Sequence, residues 1–181
     1  MRFGDVEVEM PELKDWTSFD DPRIKYFSGT AAYKCKVENV KCKTGERAIL
    51  SLGDCNGQIA KVVLNGRDLG TAWCEPYEVE IPPGVLKEGA NDLEIEFTNV
   101  WANRLIGDEQ EPPDCDFAKA PFPGGRYLTR FPDWFVGGGV AARPSKGRKC
   151  FTDWNYFTKD SKLVPSGLVG PIELLRRNVV E

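Results

Sequence analysis

The 181-residue chain contains no histidine. That removes the side chain most often used as a general base near neutral pH and as a metal ligand. Ser-His-Asp and Cys-His catalysis are excluded within the chain, and a zinc site would have to use cysteines and carboxylates only. Six cysteines are present, Cys35, Cys42, Cys55, Cys74, Cys115 and Cys150, but none forms a C-x-x-C pair. Zinc ribbons and thioredoxin-like redox chemistry therefore find little support. The even count permits disulfides in an oxidising compartment, while Cys35 and Cys74 read as small buried apolar residues. No apolar run approaches the ~20 residues of a membrane helix. The N-terminal Met1-Arg2-Phe3-Gly4-Asp5 has no apolar h-region, so no signal peptide is visible. Positive charge is not in excess: the formal net charge is -4, with acids and bases interspersed. A nucleic-acid partner would require a basic face, so none is expected.

What is present is ordinary for a globular domain. The hydrophobic share is 41% and the charged share 29%, which argues against wholesale disorder. A chain of this length suits one domain with a real core better than two. Eighteen glycines and thirteen prolines favour many short strands joined by turns.

Period-2 alternation carries most of the fold. It predicts a strand over residues 4–10, with Val6, Val8 and Met10 on one face, ended by Pro11. It returns over 31–38, where Ala31, Tyr33, Cys35 and Val37 face opposite Ala32, Lys34, Lys36 and Glu38. A turn is expected at 43–46, then a short apolar strand over 48–52. Ala60, Val62 and Leu64 mark another strand, and Asn65-Gly66 is the strongest hairpin signal in the chain, because it readily supplies two positive φ angles. Tyr77, Val79 and Ile81 form the next strand. Residues 85–90 suit one helical turn. Leu93, Ile95 and Phe97 alternate with Asp92, Glu94, Glu96 and Thr98, so that strand has one solvated face. Further strands are expected over 150–157 and 168–175, the latter near an edge because of Pro171. Residues 111–147 are rich in proline and glycine but also carry Phe117, Phe122, Tyr127, Phe131, Trp134 and Phe135. That is too much apolar bulk for a floppy linker, so this stretch is expected to be a long ordered loop. Eight or nine short strands and no long helix point to an all-β antiparallel β-sandwich of jelly-roll type over residues 1–181.

Residues 99–110, Asn-Val-Trp-Ala-Asn-Arg-Leu-Ile-Gly-Asp-Glu-Gln, stand out as a loop built to bind or dock rather than merely connect. Three chemistries were weighed for it and its surroundings. Glycoside hydrolysis needs two carboxyls about 5–10 Å apart across a sugar bond. Asp108 and Glu109, Asp20 and Asp21, and Asp114 and Asp116 are close in sequence, but 28 acids make such neighbours expected. Calcium needs 6–8 oxygens, which Asp108, Glu109, Asp114 and Asp116 could begin to supply, so a structural calcium is a candidate although no EF-hand pattern exists. Sugar binding needs aromatic faces with amide and arginine donors. Trp73, Tyr77, Trp101, Asn103, Arg104, Trp154 and Tyr156 have that character. Tryptophan is usually largely buried, so core packing is the first expectation for Trp73 and Trp101. Arg104 and Asp108 also suit an ion pair that pins the loop.

Several stretches resemble one family. Tyr26-Phe27-Ser28-Gly29-Thr30-Ala31-Ala32-Tyr33 looks like the opening of a sugar-binding-type sandwich of large glycoside hydrolases. Val63-Leu64-Asn65-Gly66-Arg67-Asp68-Leu69-Gly70 with Trp73-Cys74-Glu75-Pro76-Tyr77 resembles its central hairpin. Asn91-Asp92-Leu93-Glu94-Ile95-Glu96 and Thr98-Asn99-Val100-Trp101-Ala102-Asn103-Arg104-Leu105-Ile106-Gly107-Asp108 resemble its next strand and loop. Lys159-Asp160-Ser161 and Pro165-Ser166-Gly167-Leu168-Val169-Gly170-Pro171-Ile172 resemble its closing segment. The resemblance is to the C-terminal domain of family 106 α-L-rhamnosidases and, more distantly, to the sugar-binding domain of family 2 enzymes such as β-galactosidases. It implies a galactose-binding-like sandwich that is not itself catalytic and belongs to a longer, exported protein, periplasmic or secreted. Its implied partner is the catalytic domain of that parent hydrolase. A plant-type polysaccharide or rhamnose-containing glycan is a further candidate partner. The implied interface or sugar-contacting residues are Trp101, Asn103, Arg104, Asp108, Glu109, Trp154 and Tyr156, with no catalytic residue and no cofactor besides the candidate calcium. The competing expectation is an independent carbohydrate-binding module.

Overall fold

A computed structural model describes residues 1–38, 46–121 and 124–178. Cys42, the first three residues of the turn expected at 43–46, Phe122 and Pro123 lie outside the described residues. The chain clusters into two compact units, Met1–Val100 with Pro165–Glu181, and Trp101–Val164.

In chain order the strands are β1 (Arg2–Phe3), β2 (Val6–Glu7), β3 (Thr30–Val37), β4 (Glu46–Ser51), β5 (Ile59–Leu64), β6 (Arg67–Ala72), β7 (Glu78–Ile81), β8 (Asn91–Thr98), β9 (Phe117–Lys119), β10 (Arg126–Leu128), β11 (Trp154–Asn155) and β12 (Glu173–Asn178). Two short helices join them, α1 (Pro22–Lys25) and α2 (Ala102–Asp108). The first unit is an antiparallel sandwich. Its larger sheet has the order β2-β1-β3-β8-β5-β6 and its smaller sheet the order β12-β4-β7.

Alternation explains the sandwich directly. Along β8, Asn91, Leu93, Ile95 and Phe97 are buried while Asp92, Glu94, Glu96 and Thr98 face outward. The outward acids are partnered across the sheet, Glu94 by Lys34 at 3.1 Å and Glu96 by Lys61 at 3.8 Å. The inward residues meet one core to which both sheets contribute, with Ala31, Tyr33, Val62, Ile95 and Phe97 from one and Ala48, Leu50, Val79 and Ile81 from the other. Trp16 is the centre of this core. Its ring makes edge contacts with Phe3, Phe97 and Phe27 at centroid distances of 5.0, 5.6 and 5.7 Å. Its indole Nε1 donates to the Tyr33 hydroxyl at 2.7 Å, which also accepts from the Leu168 amide at 2.9 Å. A buried tryptophan N–H needs such an acceptor.

The hairpin expected at Asn65-Gly66 joins β5 to β6, with φ of 52° and 79° at the two residues. Beyond the turn geometry, the Asn65 side chain donates to the Val85 carbonyl and to Asn91 Oδ1, and accepts from the Asp92 amide.

Several sequence expectations are corrected. The strand over 4–10 is instead a tight β1–β2 hairpin, because Gly4 adopts a φ of +54° and turns the chain. Residues 85–90 make bends, not a helical turn. The Asn91 side chain captures the Lys87 amide and the Lys87 and Gly89 carbonyls, so the backbone there bonds to a side chain instead of to itself. The strand over 150–157 shortens to β11, and the last strand begins at Glu173, after Pro171. Cys35 and Cys74 are exposed, and among the described residues Cys55 is the buried cysteine. Trp73 and Trp101 are exposed rather than in the core. Among the described residues, no helix is long and apolar enough to cross a membrane.

Candidate functional site

The unit Trp101–Val164 contains all seven residues singled out from the sequence. Its three-stranded antiparallel sheet has the order β11-β10-β9. The 99–110 stretch, expected as a loop, contains α2. Nothing periodic announces a helix this short, since only Leu105 and Ile106 are large apolar residues in it.

Asp108 ends α2 and is buried, although the C-terminus of a helix repels negative charge. It is held because its carboxylate accepts from the Lys149 amide at 3.0 Å and the Cys150 amide at 2.7 Å, and from Arg104 Nε at 3.0 Å one turn back. Asn103, also buried, uses both ends of its amide on one residue: Nδ2 donates to the Val164 carbonyl and Oδ1 accepts from the Val164 amide, each at 2.8 Å. The helix thereby fastens the far end of its own unit.

Glu109 follows directly and gathers three segments. Its carboxylate accepts from Arg148 at 2.8 Å, Arg126 at 2.7 Å and Asn155 at 2.7 Å. Burial pushes this carboxyl's pKa up, but the three hydrogen bonds outweigh burial and hold it below the usual glutamate value. A further buried ion pair joins Asp114 to Arg143. Arg143 also donates to the Arg148 and Cys150 carbonyls and lies over the Trp134 ring, 5.0 Å from its centroid. Trp134 Nε1 donates to the Asp114 carbonyl at 2.8 Å. Burial and the adjacent Asp114 carboxylate push the Cys115 thiol up to about 11.

A cavity of about 60 Å³ lies among these groups, lined by Glu109, Phe117, Arg148, Trp154, Asn155 and Tyr156 with eight further residues. That volume has room for a water or two rather than for a sugar ring. Tyr156 stands at its rim, 65% exposed, with Trp154, 37% exposed, beside it. Trp101 precedes α2, is 70% exposed, and makes no side-chain cap.

A glycosidase acid must keep its proton near neutral pH, but Glu109 is held ionised, and the Asp108 carboxylate is occupied by Arg104 and two amides. Among the described residues no three carboxylates or thiols converge as a metal ligand set. Of the four acids named as calcium candidates, Asp108, Glu109 and Asp114 each face an arginine. Sequence reading missed Arg126, Arg148, Asn155 and Arg143. They lie 17 to 46 residues from the acids they meet, so no local spacing could reveal them.

The comparisons with known proteins agree with this picture. No family model matches the chain. It is 38% identical, over 170 residues, to a protein of Formosa agariphila that bears the name "Putative beta-glucuronidase". That match covers 93% of this chain but 14% of the relative. Among solved structures, the rhamnosidase from Novosphingobium sp. PP1Y aligns with a TM-score of 0.68 and 30% identity, over 94% of this chain and 13% of that one. The chain corresponds to a small part of larger glycoside hydrolases and spans about one-seventh of their length.

Proposed function

We propose that the chain is a non-catalytic accessory domain of a glycoside hydrolase, with a galactose-binding-like, jelly-roll sandwich that docks on the catalytic domain of an exported parent enzyme. The observation that carries this reading is the match itself: nearly the whole chain aligns with about one-seventh of two glycosidase-named proteins. The site supports it, since Asp108 and Glu109 serve as anchors for arginines and amides rather than as an acid and a base. In this reading Asn103, Arg104, Asp108 and Glu109 shape the unit that begins at Trp101, while Trp101, Trp154 and Tyr156 present its contact surface. The test is hydrolysis of aryl α-L-rhamnosides and aryl β-glucuronides by the purified chain. No turnover is expected. Turnover abolished by Asp108→Asn would overturn the proposal.

A second reading, an independent carbohydrate-binding module, draws on the exposed Tyr156 and Trp154 beside the Arg126 and Arg148 donors. Calorimetric titration with rhamnose-containing glycans and simple sugars separates the two. Heat that disappears in Tyr156→Ala favours the module, and no heat favours the docking domain.

A further inference from the structure

The Trp101–Val164 unit carries a surface that its internal network does not explain. Residues 135–142 read Phe-Val-Gly-Gly-Gly-Val-Ala-Ala, eight in succession without a polar or charged side chain, and every one is exposed. Val136 is 72% and Val140 78% exposed, and Phe131 and Phe135 are each about half exposed, at 53% and 50%. An uncharged exposed run of this length is unfavourable in water unless something covers it.

The surface is ordered. Trp134–Gly138 form a π-helical turn and Val140–Ala142 a 3₁₀ turn. Phe135 stacks on Phe131 at 5.5 Å and on Phe151 at 4.4 Å, and Phe151 meets the buried Trp134 edge-on at 5.2 Å. The Asp114–Arg143 pair and the Trp134 hydrogen bond anchor this aromatic group from beneath. It resembles a core with one side removed, held in place before any partner arrives, which lowers the entropic cost of association.

The chemistry of the run selects its occupant. Residues 135–142 themselves offer a sugar no side-chain donor or acceptor for its hydroxyls. A phosphate-bearing surface would find the neighbouring cations engaged: Arg143 is buried and bonded, Lys146 Nζ donates to the Ala141 carbonyl at 2.8 Å, and Arg130 lies 3.8 Å from the Asp133 carboxylate. An apolar protein surface is what it fits. In the relatives this segment is accompanied by some six times its own length of further polypeptide. Resting on the accessory-domain reading above, we propose that Phe131, Phe135, Val136 and Val140 form a docking surface for an apolar patch on the remaining polypeptide of a glycoside hydrolase.

The experiment compares hydrogen exchange in the purified 181-residue chain and in the full product of the reading frame that contains it. Amides over 131–142 are expected to exchange at least tenfold more slowly in the long product. Phe135→Asp with Val140→Asp is expected to restore fast exchange there while leaving the Glu109 network protected. Equal exchange over 131–142 in a long, glycosidase-active product overturns this proposal and leaves the accessory-domain reading standing. A reading frame with no further polypeptide overturns both. Dimerisation of the 181-residue chain that the double variant abolishes would make a second copy the occupant and also overturn it.

Discussion

Glu109 shows how much structure a single side chain can organise. It holds the segments of Arg126, Arg148 and Asn155 against the end of α2. Removing one partner of a buried pair leaves the other charge uncompensated, which costs about 3 kcal/mol. Glu109→Ala is therefore expected to lower unfolding stability by about that amount, read from the denaturant midpoint. The sign of the pH dependence follows from the depressed pKa. The folded carboxyl sits below the ordinary value of 4.5, so its contribution is fully present above that pH and is lost as pH falls further. Stability measured in urea should fall on acidification below about pH 4.5, and Glu109→Gln should flatten that slope. Gly167 is a second residue with no latitude. It has a φ of +94°, and a Cβ there would lie 2.3 Å from Trp16 Nε1. Gly167→Ala should cost at least ~2 kcal/mol through strain and overpacking, detected as a lower midpoint and altered tryptophan emission.

The elements differ in how visibly the sequence announces them. The β5–β6 hairpin is legible because turn chemistry is local: Asn65 and Gly66 each take a positive φ. Gly66→Ala should cost about 1–2 kcal/mol, because alanine pays a steric penalty in that region, and the loss should appear in the denaturant midpoint. Strands β3 and β8 are legible because one face is buried and the other wet, which imposes period 2. Helix α2 is not legible, since two apolar residues define no helical stripe and tertiary bonds to Val164, Lys149 and Cys150 hold it. The 4–10 strand misleads for a related reason. Its alternation is real, but Gly4 folds it back on itself.

At the scale of the whole molecule, the Met1–Val100 and Pro165–Glu181 unit is the part that composition and periodicity describe well. Its two sheets meet in an apolar core. The Trp101–Val164 unit rests instead on buried ion pairs and an aromatic group joining residues distant in sequence, and such pairings leave no periodic trace. Composition supplied what periodicity could not: the tryptophan, arginine, asparagines and acids of residues 99–110 mark that stretch as special, and Asp108 and Glu109 are its anchors. The account's central claim is that this chain is one domain of a much larger glycosidase. The direct measurement is the mass and activity of the native product, captured from the source cells with an antibody raised against the 181-residue chain. The account predicts a polypeptide several times heavier than 20.3 kDa that hydrolyses aryl glycosides. A product of 20.3 kDa without such activity would contradict it.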